Sequence, residues 1–134
     1  MTKPILFADL MPNMVIGRHT DLFDQNMSDK WKSIFKDSAD GDISDGAQSA
    51  SIGVALAMRA LLTVVAPRPP GNVHARQKIR LHTLPALNQS IHSEVTCLHK
   101  EIKRERRYVD FEVIGKSEEG HLIFEAQMSL IWAA

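Results

Sequence analysis

The feature that constrains this chain most is the apolar segment that follows "SDGAQ". Between Ile52 and Val65, Ile52, Val54, Leu56, Met58, Leu61, Leu62, Val64 and Val65 point in every direction around a helical axis. Asp45 before the segment and Gln48 three residues later form a capping-box start. The run "APRPPGN", with three prolines and Gly71, forbids continuation. The reading is therefore a helix from about Asp45 to about Val65. A helix apolar all round must be covered all round, and in a chain of 134 residues a curled sheet does this with the least material.

A membrane span is the other use of such a segment. The apolar stretch from Ser51 to Ala66 is about four residues short of the ~20 that a bilayer needs. Arg59 stands at its middle, and a central arginine costs roughly 2.5–3.5 kcal/mol even on a lenient insertion scale. It reads as a core helix, and Arg59 in it as half of a structural ion pair or as an interface residue.

The second half supplies the sheet. "VHARQKIRLHT" alternates, with Val73, Ala75, Ile79 and Leu81 on one face and His74, Arg76, Lys78, Arg80 and His82 on the other. "SIHSEVTCLHKEI" and "RYVDFEVIG" read as strands, the latter with Val109, Phe111 and Val113 on one face. "HLIFEAQMSLIWA" places Leu122, Phe124, Ala126, Met128, Leu130 and Trp132 together. The short joints favour antiparallel pairing of these four strands. Residues 5–22 read as an extended, irregular lead-in. "NMSDKWKSIF" reads as a short helix with Met27, Trp31, Ile34 and Phe35 in one stripe and Asn26 or Ser28 as cap. No repeat interrupts this order, so residues 1–134 read as one α+β domain.

Composition removes several functions. Sixteen basic residues balance sixteen acidic ones, so no global field draws the chain to nucleic acid or to a membrane surface. Cys97 is the single cysteine, which excludes an intrachain disulfide and a thiolate metal cluster. It reads as a packed thiol in a reducing, cytoplasmic setting, and the N-terminus carries no signal-peptide pattern. His74 and His82 stand eight apart on one strand, too far at ~3.3 Å per residue to share an ion, so no metal site is expected.

The order of elements and three short patterns resemble the hotdog fold, and within it the MaoC-like hydratase and dehydratase branch. "FADLMPNM" resembles the family's F-x-D-L-x-x-G-M, with Asn13 at the glycine position. "RLHTLPALNQSI" resembles the passage from a strand through a proline and a glycine-rich turn, again with the glycine replaced. "EEGHLIFEAQMSLIW" is similar to the family's last hairpin. The resemblance covers most of the chain. It implies a long central helix wrapped by a mainly antiparallel sheet, a homodimer, and an acyl thioester of coenzyme A or acyl carrier protein as the ligand. No cofactor is implied beyond coenzyme A as part of the substrate.

Family hydratases read approximately S-G-D-x-N-P-I-H, an aspartate and a histidine five positions on that bind and activate water. Here "DGDISDGA" puts Asp42 at the first position and Ala47 at the second. Alanine relays no proton, so the pair is broken. The candidate catalytic residues are Asp42 and Asp45, the latter also being the plain N-cap. Gly46, Ala47 and Gln48 on the first helical turn are candidates for the thioester carbonyl, because free N–H groups there polarise it. Arg68, Arg76, Lys78 and Arg80 form a local basic patch, read as a solvated face or as a site for coenzyme A phosphate. Three functions stay open: enoyl-thioester hydration or its reverse with a rearranged site; thioesterase action with Asp42 or Asp45 as base or nucleophile; and non-catalytic binding of acyl thioesters as a partner subunit.

Overall fold

The structure, a computed structural model, describes residues 3–27, 29 and 45–134, with helical side chains described from residue 52 onward. Among these residues five strands form one sheet in the order β1-β3-β4-β5-β2: β1 Met14–Phe23, β2 Val73–Leu81, β3 Gln89–Lys103, β4 Arg106–Ser117 and β5 Leu122–Trp132. Every pairing is antiparallel. Helix α1, Asp45–Val64, lies against one face, called inner below. With the short hairpins expected from the joints, this is the α+β plan read from the sequence.

The core forms where inward rows of β3, β4 and β5 meet α1. Ile91, Val95 and Cys97, then Val109, Phe111 and Val113, then Phe124, Ala126, Met128 and Trp132 are fully buried against Leu56, Ala57, Ala60, Leu61 and Val65. Burying a side chain of the Val, Leu or Phe class contributes about 1.5–3 kcal/mol. The rings of Phe111 and Trp132 sit 5.8 Å apart in a tilted pair, and the Trp132 indole N–H donates to the Ile5 carbonyl at 2.8 Å. Gly115 makes room for a neighbour: a Cβ there would lie 2.1 Å from the Phe124 ring.

Three expectations need correction. The lead-in is no irregular segment: Met14–Phe23 is a ten-residue edge strand. After a bulge between Val15 and Gly17, its inward row is Gly17, His19, Asp21 and Phe23, opposite Val95, Ser93, Ile91 and Gln89. Only one of those four is a large apolar residue, so the two-residue hydrophobic period was missing. The strict alternation of β2 also fails at its start. A bulge between His74 and Arg76 pairs His74 with Leu130 of the inward row, and regular alternation begins at Arg76. The coverage of α1 is incomplete among the described residues, where Leu62 and Thr63 are exposed.

The short helix begins earlier than expected. Residues 25–27 are helical, and the Asp24 carboxylate accepts the Met27 N–H at 2.9 Å, so Asp24 is the cap rather than Asn26; Ser28 lies outside the described residues. The stripe through Trp31, Ile34 and Phe35 lies outside the described residues.

The two replaced glycines have a common explanation. Asn13 (φ 64°) and Asn88 (φ 65°) are both left-handed, a conformation that asparagine adopts more readily than other non-glycine residues. They close the β1–β3 ladder at its two ends, Asn13 N–H donating to Cys97 O at 2.7 Å and Asn88 N–H to Phe23 O at 2.6 Å. In "FADL", Asp9 accepts the Leu6 N–H at 2.9 Å and Leu10 is buried. Phe7 offers its carbonyl and its ring to the Lys100 ammonium, at 2.9 and 4.5 Å. That pattern is an anchor for the N-terminal segment. The β3–β4 hairpin closes through Arg104 (φ 52°) and Glu105 (φ 66°), a type I′ turn without its usual Asn-Gly. Left-handed residues with a Cβ cost about 1–2 kcal/mol each.

Candidate functional site

Asp45 opens α1, and Gly46, Ala47 and Gln48 follow on its first turn. The first four N–H groups of a helix have no partner within it, and they carry the positive end of its dipole. Gly53 packs 3.3 Å from Ile79 and 3.7 Å from Leu81, measured from where a Cβ would stand. The opening of α1 lies two turns further back, about 12 Å along the axis. Asp42, and the side-chain half of the Asp45–Gln48 capping box, lie outside the described residues.

The basic residues are not gathered at this opening. Arg68 donates from Nη1 to the carbonyls of Leu62 and Val65 at 2.8 and 2.7 Å, closing the far end of α1, about 30 Å from Asp45 by helical rise. Arg76, Lys78 and Arg80 pair with Ser129, Gln127 and Glu125, on the outer face of the sheet. Lys78 and Arg80 line a groove of about 200 Å³ in which Glu112 and Glu125 oppose them. Arg76 lines a separate one of about 440 Å³ with Lys103, Arg104 and Tyr108.

Sequence reasoning missed a buried carboxylate on the inner face. Asp21 is 5% exposed. Its Oδ1 accepts two hydrogen bonds from Arg59, from Nε at 3.1 Å and Nη2 at 3.0 Å, so the arginine inside the apolar helix does have a carboxylate partner. Asp21 Oδ2 lies 3.2 Å from His19 Nε2. The imidazole is not aligned for a hydrogen bond, and both atoms are buried and unpaired. With Oδ1 committed to Arg59, this carboxylate is an orienting group that ties α1 to β1. The signal was the pair His19 and Asp21, two apart and hence on one face of a strand, once residues 14–23 are read as a strand.

Other imidazole–carboxylate contacts are more exposed. His82 Nε2 meets Glu125 Oε2 at 2.8 Å, while His99–Glu101 and His121–Glu119 are at 3.9 and 3.8 Å. No group of three metal-ligating side chains occurs among the described residues, and no helix there is long and apolar enough to cross a membrane. Cys97 is buried, and burial pushes its thiol up from the ordinary 9.0, against a backbone hydrogen bond at His99 and the Lys100 charge that pull it down.

The sequence matches no family model and no curated protein. The structure matches solved ones along nearly its whole length. An R-hydratase from Pseudomonas aeruginosa superimposes with a TM-score of 0.73 at 17% identity, covering 96% of this chain and 86% of that one. A MaoC-like dehydratase from Rhodospirillum rubrum gives 0.67 at 16%, covering 95% of each. A hypothetical thioesterase from Streptococcus pneumoniae gives 0.59 at 13%, covering 92% and 86%. These likenesses establish the hotdog fold.

Proposed function

We propose that this protein handles acyl thioesters of coenzyme A or acyl carrier protein, and that its reaction is hydration of a 2-enoyl thioester or the reverse dehydration. The observation that carries the reading is α1 laid along one face of a five-stranded antiparallel sheet, the frame it has in common with an R-hydratase and a MaoC-like dehydratase. In this reading the thioester carbonyl takes hydrogen bonds from the N–H groups of Gly46 and Ala47, with Gln48 beside them. Negative charge developing on the carbonyl oxygen is then stabilised by the helix end. Asp42 orients and deprotonates the attacking water, and Asp45 holds the turn or shares that work. Because Ala47 stands where the family has histidine, the proton has one relay fewer. A low turnover is expected.

Loss of enoyl absorbance on mixing with a 2-enoyl-CoA is the test. Asp42→Asn is expected to lower the rate by about 10²–10⁴, the usual worth of a general base. A rate unchanged by Asp42→Asn would remove that residue from the mechanism.

Two further readings have one observation each. Structural likeness to a hypothetical thioesterase favours hydrolysis, which would release free thiol from acyl-CoA. Ala47 at the histidine position favours a non-catalytic binding subunit, which would retain coenzyme A affinity with no turnover of either kind.

The working unit in this reading is a cytoplasmic homodimer. Among the described residues strand β2 pairs with β5 alone, which leaves one edge of a nine-residue strand for a second copy, and open edges are liabilities unless covered. Light scattering should return twice the chain mass of 15.0 kDa. Of the residues proposed for coenzyme A phosphate, Arg68 is engaged at the helix end and Lys78 and Arg80 face Glu112 and Glu125, which leaves Arg76 best placed.

A further inference from the structure

The outer face of the sheet carries a groove of about 440 Å³ between the start of β2 and the tip of the β3–β4 hairpin. It is lined by Arg76, Lys103 and Arg104, by Tyr108, and by Glu101 and Asp110. The two carboxylates and the three cations are treated differently. Asp110 accepts the Ser129 hydroxyl, and Glu101 Oε2 has His99 Nε2 at 3.9 Å. Among the described residues, Arg76, Lys103 and Arg104 have no carboxylate within 4.0 Å. A second observation concerns the backbone. Arg104 is held at φ 52° and the next residue, Glu105, at φ 66°, in a two-residue turn where glycine or asparagine would be unstrained. Strain kept at an exposed tip points to a use for the side chain it presents.

We propose that this groove binds a phosphate-bearing ligand, with Arg76 and Arg104 as forked donors to its oxygens, Lys103 as a point charge and the Tyr108 hydroxyl as an uncharged donor. Guanidinium groups suit this role because their planar fork matches phosphate oxygens in pairs. The groove is large enough for a nucleotide-sized group, and its lining is too polar for an acyl chain. The site stands on the outer face, across the sheet from α1; its coenzyme A arm rests on the acyl-thioester reading, and its phosphate-ester arm does not. The phosphate has two possible sources, the nucleotide end of coenzyme A or a free phosphate ester.

Calorimetric titration at low salt with inorganic pyrophosphate tests the site, and adenosine 3′,5′-bisphosphate distinguishes the sources. Pyrophosphate is expected to bind, and Arg76→Ala and Arg104→Ala each to weaken it about tenfold. Arg18→Ala, at an outer-face arginine already paired with Glu94, should leave binding unchanged. Arg104→Gly gives a signature that a structural role would not: the melting temperature rises as the turn relaxes, while pyrophosphate affinity falls. The bisphosphate competing at lower concentration than pyrophosphate would assign the ligand to coenzyme A; equal or weaker competition would assign it to a free phosphate ester. No heat up to millimolar pyrophosphate, or an equal loss in Arg18→Ala, would overturn the proposal, the second because it means diffuse charge rather than a site.

Discussion

Strands β4 and β1 present the same kind of surface to α1 and fill it by opposite means. The inward row of β4 is Val109, Phe111, Val113 and Gly115, all buried, and every one is chosen by shape, even the glycine beneath the Phe124 ring. The inward row of β1 is Gly17, His19, Asp21 and Phe23, and its middle is held by charge. One row excludes water by close packing, which is non-directional and tolerant of small shifts. The other brings a carboxylate to 5% exposure and must answer it with a guanidinium, at distances and angles that leave Asp21 Oδ2 and His19 Nε2 unpaired. Apolar packing makes a sheet stable, whereas a buried ion pair fixes which part of the helix meets which strand, often at no gain in stability.

That contrast can be broken most forcefully on the apolar side. In Gly115→Ala the new methyl would stand 2.1 Å from Phe124 Cε1, with two more ring carbons within 2.7 Å, and the ring is itself walled in by the core. Overpacking of this kind costs about 1–3 kcal/mol, and the upper end is expected here, read as a drop in denaturation midpoint. Replacing Phe124 by leucine in the same chain should return part of the loss. A midpoint unchanged by Gly115→Ala would mean that the ring has room to swing, and that the row is less tightly fitted than its burial implies.

The polar side predicts an asymmetry. Arg59 is 58% exposed while Asp21 is 5% exposed, so removing either partner is not equivalent. Arg59→Ala strands a buried carboxylate, and about 2 kcal/mol is expected, below the full 3–5 kcal/mol of a wholly buried pair because one partner is wet. Asp21→Asn frees the guanidinium to reach water and should cost about 1 kcal/mol or less. Asp21→Leu, which replaces the charge by apolar volume, should be close to neutral. Urea unfolding of the three variants gives the order directly. Asp21→Asn proving the costliest would mean that His19, not Arg59, is the partner that matters.

The same contrast explains what the sequence disclosed. Strands β4 and β5 could be read residue by residue, because Val109, Phe111, Val113 and the row from Phe124 to Trp132 keep a two-residue period that only burial on one face produces. The ends of α1 could be read from Asp45 and from the prolines after Val65. Strand β1 was invisible because a bulge and three non-apolar inward residues erased the period, although His19 and Asp21 were in plain view as residues. The two turns at Asn13 and Asn88 looked like departures from a glycine pattern, and are substitutions by the residue that tolerates the same backbone. Of the candidate site, the opening of α1 was legible as a helix start. The dispersal of Arg68, Arg76, Lys78 and Arg80 over two faces was not, since a basic cluster in the chain says nothing about which carbonyls or carboxylates each side chain will meet.

Cys97 stands between the two rows, its partners being Met14 of β1 and Phe111 of β4, and it gives the smallest and sharpest comparison. Burial raises its thiol above the ordinary 9.0, so in alkali the unfolded chain loses this proton before the folded one does. The folded state then binds more protons than the unfolded state, and stability falls as pH rises. The contribution is whole below 9.0 and is lost as pH climbs through the raised folded value. Urea unfolding of the protein and of Cys97→Ala at pH 8 and pH 10 isolates it, because other groups cancel in the difference. The parent should lose more stability than the variant by about 1 kcal/mol or less, one pK unit being 1.36 kcal/mol. Equal losses would mean that the thiol ionises in place, and that water reaches the seam between the charged row and the packed one.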